Sequence, residues 1–127
     1  MTAPCYFEIH ADDCQRAQRF YGGVFGWSFE YYEAADIEYY RIETNEPDSM
    51  RGGLLKRPGM VQPMQAPNGF VVTLLVPSLD QYIEKAVAAG AVVALPKFAV
   101  KQMGWTAYLV DTEKNIFGLF QEDPKAA

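Results

Sequence analysis

The sequence predicts an α+β fold: two βαβββ modules in one chain, paired into a half-open, cup-shaped mixed sheet with the helices on the outer face. Three observations carry this. The order strand, helix, three strands reads out twice along 127 residues. The two helix starts, Asp13 and Ser78, lie 65 residues apart (78 − 13 = 65), an internal repeat. The same shift lays "GLL" (residues 53–55) over "GLF" (residues 118–120), Tyr6 over Val71 and Tyr40 over Trp105. The length suits a single domain, with module 1 at about 4–56, a linker at about 57–68 and module 2 at about 69–122.

The elements follow in order. Residues 5–10 are rich in strand formers. Asp12 and Asp13 are helix N-cap residues by type, because their side chains accept from the free N–H groups of a first turn. Behind them Cys14, Ala17, Tyr21, Val24 and Phe25 recur at helical spacing, and Gly22, Gly23 and Gly26 weaken and then stop the helix. Residues 27–33 and 37–43 are aromatic strands joined by "AAD" as a hairpin, and residues 51–56 form a fourth strand. The segment "KRPGMVQPMQAPNG" (residues 56–69) is a linker or lid, because prolines and glycines break both regular structures. Residues 70–77 are a buried strand. Ser78 opens the second helix, with Gln81 in capping-box position and Leu79, Tyr82, Ile83, Ala86 and Val87 as its apolar stripe; Gly90 ends it. Residues 91–95, 105–111 and 116–121 complete the strands.

Half of the chain is apolar and 14% is aromatic, which supplies a core for one domain. A net charge of −5 disfavours nucleic acid and anionic membrane as partners, since both select basic surfaces. The apolar runs are too short to span a bilayer. "MTAPCYFEIHADD" has no basic region and meets acidic residues early, so it does not read as a signal peptide. Cys5 and Cys14 form no CxxC pair, and the expected setting is the cytoplasm with reduced thiols. No phosphate-binding Gly-rich loop and no Ser-His-Asp order is present.

The stretch "FEIHADDCQRAQRFYGGVFGW" (residues 7–27) closely resembles the first strand and helix of the vicinal oxygen chelate superfamily. That superfamily includes glyoxalase I, bleomycin resistance proteins, fosfomycin resistance enzymes and extradiol dioxygenases. The ending "YLVDTEKNIFGLFQED" (residues 108–123) resembles the superfamily's closing hairpin. In the metal-dependent members, one ligand lies on the first strand and one on the last strand of each module. With the helix starts aligned, those positions fall on Tyr6, Gly53, Val71 and Gly118. Three of the four carry no side-chain donor, so the resemblance implies a member with no metal and no cofactor. The repeat makes the four positions equivalent and pocket-facing. Glycine there leaves room for a ligand and offers no donor, which suits a flat or apolar small molecule.

Strand alternation adds Glu8, His10, Thr73 and Phe120 to that pocket and turns Phe7 and Ile9 under a helix. Glu8 is either a general base in an apolar cup or a carboxylate bonded to a neighbouring strand or tyrosine. His10, the only histidine, is either an acid/base or a rim residue bonding the backbone near Asp12. Cys5 and Cys14 read as buried small hydrophobes. Tyr31, Tyr32, Tyr39, Tyr40 and Trp105 either stack on a planar ligand or cover the sheet or a subunit interface. Met50, Met60, Met64 and Met103 suit a pocket lid or gap filling. Arg51 and Lys101 either hold a ligand carboxylate or are solvated. The ligand-binding set is therefore Tyr6, Glu8, His10, Tyr40, Gly53, Val71, Thr73, Trp105, Gly118 and Phe120. The leading reading is a metal-independent small-molecule-binding homodimer. A lyase or isomerase of glyoxalase type using Glu8 or His10, and a drug-sequestering protein, are the alternatives.

Overall fold

A computed structural model describes residues 4, 6–33, 37–57 and 70–127. Cys5, the "AAD" turn, Met60, Met64 and all of the residue 56–69 segment after Arg57 lie outside these. The chain divides into two compact units, one per module.

The first unit comprises β1 (Tyr6–Ala11), α1 (Cys14–Phe25), β2 (Ser28–Tyr31), β3 (Tyr39–Glu43) and β4 (Arg51–Lys56). Its sheet runs β1-β4-β3-β2, with β1 parallel to β4 and the other pairs antiparallel. The second comprises β5 (Val72–Leu75), α2 (Leu79–Ala88), β6 (Val92–Val100), β7 (Gly104–Val110) and β8 (Ile116–Glu122), in the order β5-β8-β7-β6 with the same sense of pairing. The predicted α+β class with a repeated βαβββ module is what the chain forms.

Helix α1 begins where the sequence places it. Asp13 has extended backbone, and its carboxylate accepts from the N–H groups of Gln15 (3.0 Å) and Arg16 (3.1 Å). The Arg16 N–H above all holds this carboxyl below the usual carboxylate range. Gly26, with φ of 74°, closes the helix in the left-handed conformation that glycine adopts without penalty. Cys14 and Ala17 pack on Ala11, Ile42 and Leu54 of the sheet, with Phe7, Ile9, Trp27, Phe29 and Tyr40 around them. Phe7 and Ile9 thus lie under the helix as alternation requires. Ser78 caps α2 through the N–H of Gln81 (3.4 Å), and Leu79 and Ala86 are buried.

Two differences from the sequence reading have physical causes. Strand β6 does not stop at Leu95 but runs to Val100. Proline removes a ladder donor, yet Pro96 sits on an edge strand within a register shift between Leu95 and Phe98, where that loss is tolerated. Arg57, assigned to the start of the linker, is buried: its backbone N–H donates to the Ala11 carbonyl (2.9 Å), Nη1 to Asp12 (2.8 Å) and Nη2 to the His10 carbonyl (3.1 Å).

The repeat holds strictly for the first and last strand of each module. Glu8 lies opposite Gly53 and Thr73 opposite Gly118, both shifted by 65. It slips on the third strand. Tyr40 lies opposite Leu54, and the residue opposite the equivalent Leu119 is Ala107, not Trp105. The cause is loop length: seven residues (44–50) join β3 to β4, but five (111–115) join β7 to β8.

Candidate functional site

Each sheet has one face under its helix and one facing away. Cross-strand partners share a face, so the register assigns every side chain. On the open face of the first module, one row reads Glu8, Gly53, Arg41, Glu30 across β1, β4, β3 and β2. Tyr6 and His10 flank Glu8 on β1, and Tyr39 flanks Arg41 on β3, all on that same face.

Tyr6 and Tyr39 reach diagonally toward Gly53 from opposite sides and their hydroxyls hydrogen-bond to each other. Both hydroxyls occupy the volume that a Cβ on residue 53 would take. The space that glycine leaves is therefore filled by the chain's own phenols, which form a polar floor. The Tyr39 ring also meets Tyr32 edge-on (6.4 Å, 70°). Burial, and then the hydrogen bond with Tyr6, push the Tyr39 hydroxyl up to about 12. The Glu8 charge acts in the same direction and the Arg41 charge against it. Glu8 and His10 stand 4.0 Å apart (Oε1 to Nε2), with 47% and 42% of their side chains exposed. Arg51 lies opposite Tyr6 at the start of β4.

In the second module the matching row is Thr73, Gly118, Tyr108. The Thr73 hydroxyl stands 2.5 Å, and the Tyr108 ring 3.2 Å, from where a Cβ on residue 118 would be. Phe120 lies on this open face beside Thr106, and Val71 is exposed just before β5. This face carries aliphatic and aromatic side chains where the first carries ionisable ones: Leu75 stands where His10 stands, and Thr73 where Glu8 stands.

The structure thus brings Tyr6, Glu8, His10 and Gly53 together in one module, and Thr73, Gly118 and Phe120 in the other. Tyr40 and Trp105 lie on the opposite, helix-facing sides. Tyr40 packs with the core beneath α1, donates to Glu38 (2.8 Å) and accepts from Gln15 Nε2 (3.2 Å). Burial, then the Glu38 bond, raise its pKa. The Trp105 indole N–H donates to Asp123 (3.0 Å) and holds that carboxyl low, while Lys97 Nζ lies 4.8 Å over its ring. Sequence reasoning named Tyr39 only as an aromatic surface and passed over Arg41. The signal for both was alternation along β3, once its register against Gly53 is known.

A separate cavity of about 260 Å³ lies at the β3–β4 connection, lined by Ile42, Glu43, Asn45, Pro47, Met50 and Arg51 among others. It does not reach Glu8, Tyr39 or Gly53.

No protein-family model and no curated protein matches the chain. Solved structures do match. A glyoxylase/bleomycin resistance protein/dioxygenase domain from Frankia sp. EAN1pec superposes with a TM-score of 0.76 at 15% identity, over 97% of this chain and 93% of that one. The fosfomycin resistance protein FosX from Listeria monocytogenes gives 0.74 at 13%, over 97% and 93%. A glyoxalase/bleomycin resistance protein/dioxygenase family enzyme from Burkholderia phytofirmans PsJN gives 0.68 at 20%, over 94% and 98%. At these identities the likeness establishes the fold, and a fold hosts many activities. The resemblance carried by residues 7–27 and 108–123 is to that extent shown.

The residues present do not fit the metal of the metal-dependent members. Phenol hydroxyls stand before Gly53, a threonine hydroxyl and a phenol ring before Gly118. Among the described residues no group of three or more His, Cys, Asp or Glu converges to hold an ion.

Proposed function

We propose that this chain, sharing the fold of those structures, is a metal-independent small-molecule-binding protein whose ligand seats on the open face of the first module. The observation that carries this is the meeting of the Tyr6 and Tyr39 hydroxyls over Gly53, between Glu8 and Arg41. Two phenols offer ring surface and O–H donors together, and the flanking charges add directional polar contacts. Few convergent polar groups on a largely preformed surface is the usual anatomy of a small-molecule site. A fragment screen read by backbone amide shifts tests it. Fragments should cluster on β1, β3 and β4, and Tyr39→Phe should weaken them without unfolding the chain. Fragments that gather elsewhere and ignore Tyr39→Phe overturn the reading. Elemental analysis should return far less than one equivalent of Zn, Fe, Ni or Mn.

A second reading is favoured by one observation: a half-exposed carboxylate, Glu8, shares a face with the Tyr39 hydroxyl, which is pushed up to about 12. A base on one face with such a donor suits proton transfer at a carbon alpha to a carbonyl, an isomerase or lyase step. Exchange of the α-hydrogens of a 2-oxo acid in D2O, abolished by Glu8→Gln, supports it; exchange equal to buffer removes it.

The proposal extends to a homodimer in the cytoplasm. Its support is the open face of the second module, where Leu75, Val92, Leu95 and Phe98 are exposed. Among the described residues no helix is long and apolar enough to cross a membrane.

A further inference from the structure

The charges around Gly53 specify more than a generic ligand. Glu8 and Arg41 lie directly opposite Gly53 on its two neighbouring strands. Strand spacing of about 4.8 Å places their Cα atoms about 10 Å apart, on one face, with no side chain on the intervening residue itself. The Arg41 side chain makes no ion pair or hydrogen bond with any described residue, although Glu30 is its cross-strand neighbour. Among the described residues the Glu8 side chain has only His10, at the outer limit of ion-pair range. Opposite charges are thus held apart across a glycine instead of being spent on each other.

Between them lies the hydroxyl pair. Whichever phenol donates to the other, the accepting phenol keeps its own O–H to offer a ligand. The donating hydroxyl polarises its neighbour and strengthens that remaining donor. Beyond it, the Tyr32 and Tyr39 rings meet edge-on and leave aromatic surface at the rim.

We propose that this patch binds a small aromatic zwitterion of the α-amino-acid type, its ammonium toward Glu8, its carboxylate toward Arg41 and the remaining tyrosine O–H, and its aryl group against the tyrosine rings. A simple anion meets Arg41 but is repelled by Glu8, and a simple cation meets the reverse. Only a ligand carrying both charges is favoured by both. The second module supplies the internal contrast: its equivalent row, Thr73, Gly118 and Tyr108, holds no charge and is assigned no such ligand.

This inference rests on the reading of the Gly53 face as the binding site, and the test separates the two. Phenylalanine, 3-phenylpropionate and 2-phenylethylamine are titrated into the full-length protein and followed by backbone amide shifts. Phenylalanine should bind at least about ten-fold more tightly than either analogue, with shifts on β1, β3 and β4. Glu8→Gln should erase its advantage over phenylpropionate and Arg41→Gln its advantage over phenylethylamine. Both residues are exposed, so both variants should keep the wild-type spectrum elsewhere. If an analogue binds the Gly53 face as well as phenylalanine does, the zwitterion is wrong and the site stands. If all three shift only residues off that face, or phenylalanine is silent at millimolar concentration, the proposal is overturned, and the fragment screen alone decides the site.

Discussion

Gly53 shows how one missing side chain organises a surface. Two phenol hydroxyls meet in the volume its Cβ would fill, so Gly53→Ala must push Tyr6 and Tyr39 apart. Those are the far ends of rotatable side chains, and the chain should still fold, at a cost of about 1–3 kcal/mol in urea unfolding. Gly52→Ala meets the Phe7 ring, which is packed against the core beneath α1, and should cost more. Gly118→Leu should destabilise the second module whatever is bound, because Thr73 and Tyr108 already fill the space that the sequence reading leaves open for a ligand. Tyr39 makes a pH prediction. Its hydroxyl titrates at about 12 when folded, against about 10 for an unperturbed tyrosine. A raised folded value means stability present below pH 10 and lost as the pH rises toward 12. Melting temperature should therefore fall over that interval in the wild type and fall less in Tyr39→Phe, and the Tyr39 ionisation should appear as a late phase in absorbance at high pH.

The elements are set by their ends. Helix α1 is capped by Asp13 and stopped by Gly26, and both signals stand in the sequence as adjacent residues do in a local interaction. Asp13→Ala should lower the melting temperature at neutral pH. The Asp13 carboxyl is depressed in the folded chain, so its contribution is present above its ordinary pKa and lost as the pH falls through the folded value. The gap between wild type and Asp13→Ala should close on acidification, and a gap that persists at pH 2 would show the cap is not the cause. The turn before β8 uses the same local chemistry: Asp111 accepts from the N–H groups of Glu113 (2.7 Å) and Asn115 (2.9 Å), and Lys114 takes φ of 69°. Strand β6 is different. Its length follows from its place at a sheet edge, which permits Pro96, and place in a sheet is a property of the whole module.

At the scale of the molecule, two modules of one fold have diverged in chemistry. The open face of the first carries Glu8, His10, Arg41, Arg51 and paired tyrosines, and that of the second carries Leu75, Leu95, Phe98, Tyr108 and Phe120. Sheet surface of the second kind is costly in water and suits an isologous contact between copies. Sedimentation at micromolar concentration should give twice the 14.3 kDa chain mass, and Leu95→Asp should shift the protein toward one chain. A wild-type protein sedimenting only as a single chain contradicts the dimer.

The sequence by itself determined the module order, the helix caps, the repeat shift of 65 on the first and last strands and the assignment of Phe7 and Ile9 beneath a helix. Each of these is encoded within a few residues, as a cap, a turn or a period. It also pointed to Tyr6, Glu8, His10 and Gly53 as neighbours, because β1 alternates and the repeat is strict there. Only the tertiary structure decided that Tyr40 and Trp105 face the helices, and that Tyr39 and Arg41 share the face of Gly53. Side-chain direction on β3 depends on its register against β4, and that register is fixed by a seven-residue connection where the second module has five. A slip of two residues keeps every hydrophobic on its proper face, so the pattern of apolar residues carries no trace of it. The meeting of two phenols over a glycine lies beyond the pattern for the same reason: it joins residues 6, 39 and 53, from three strands brought together only by folding.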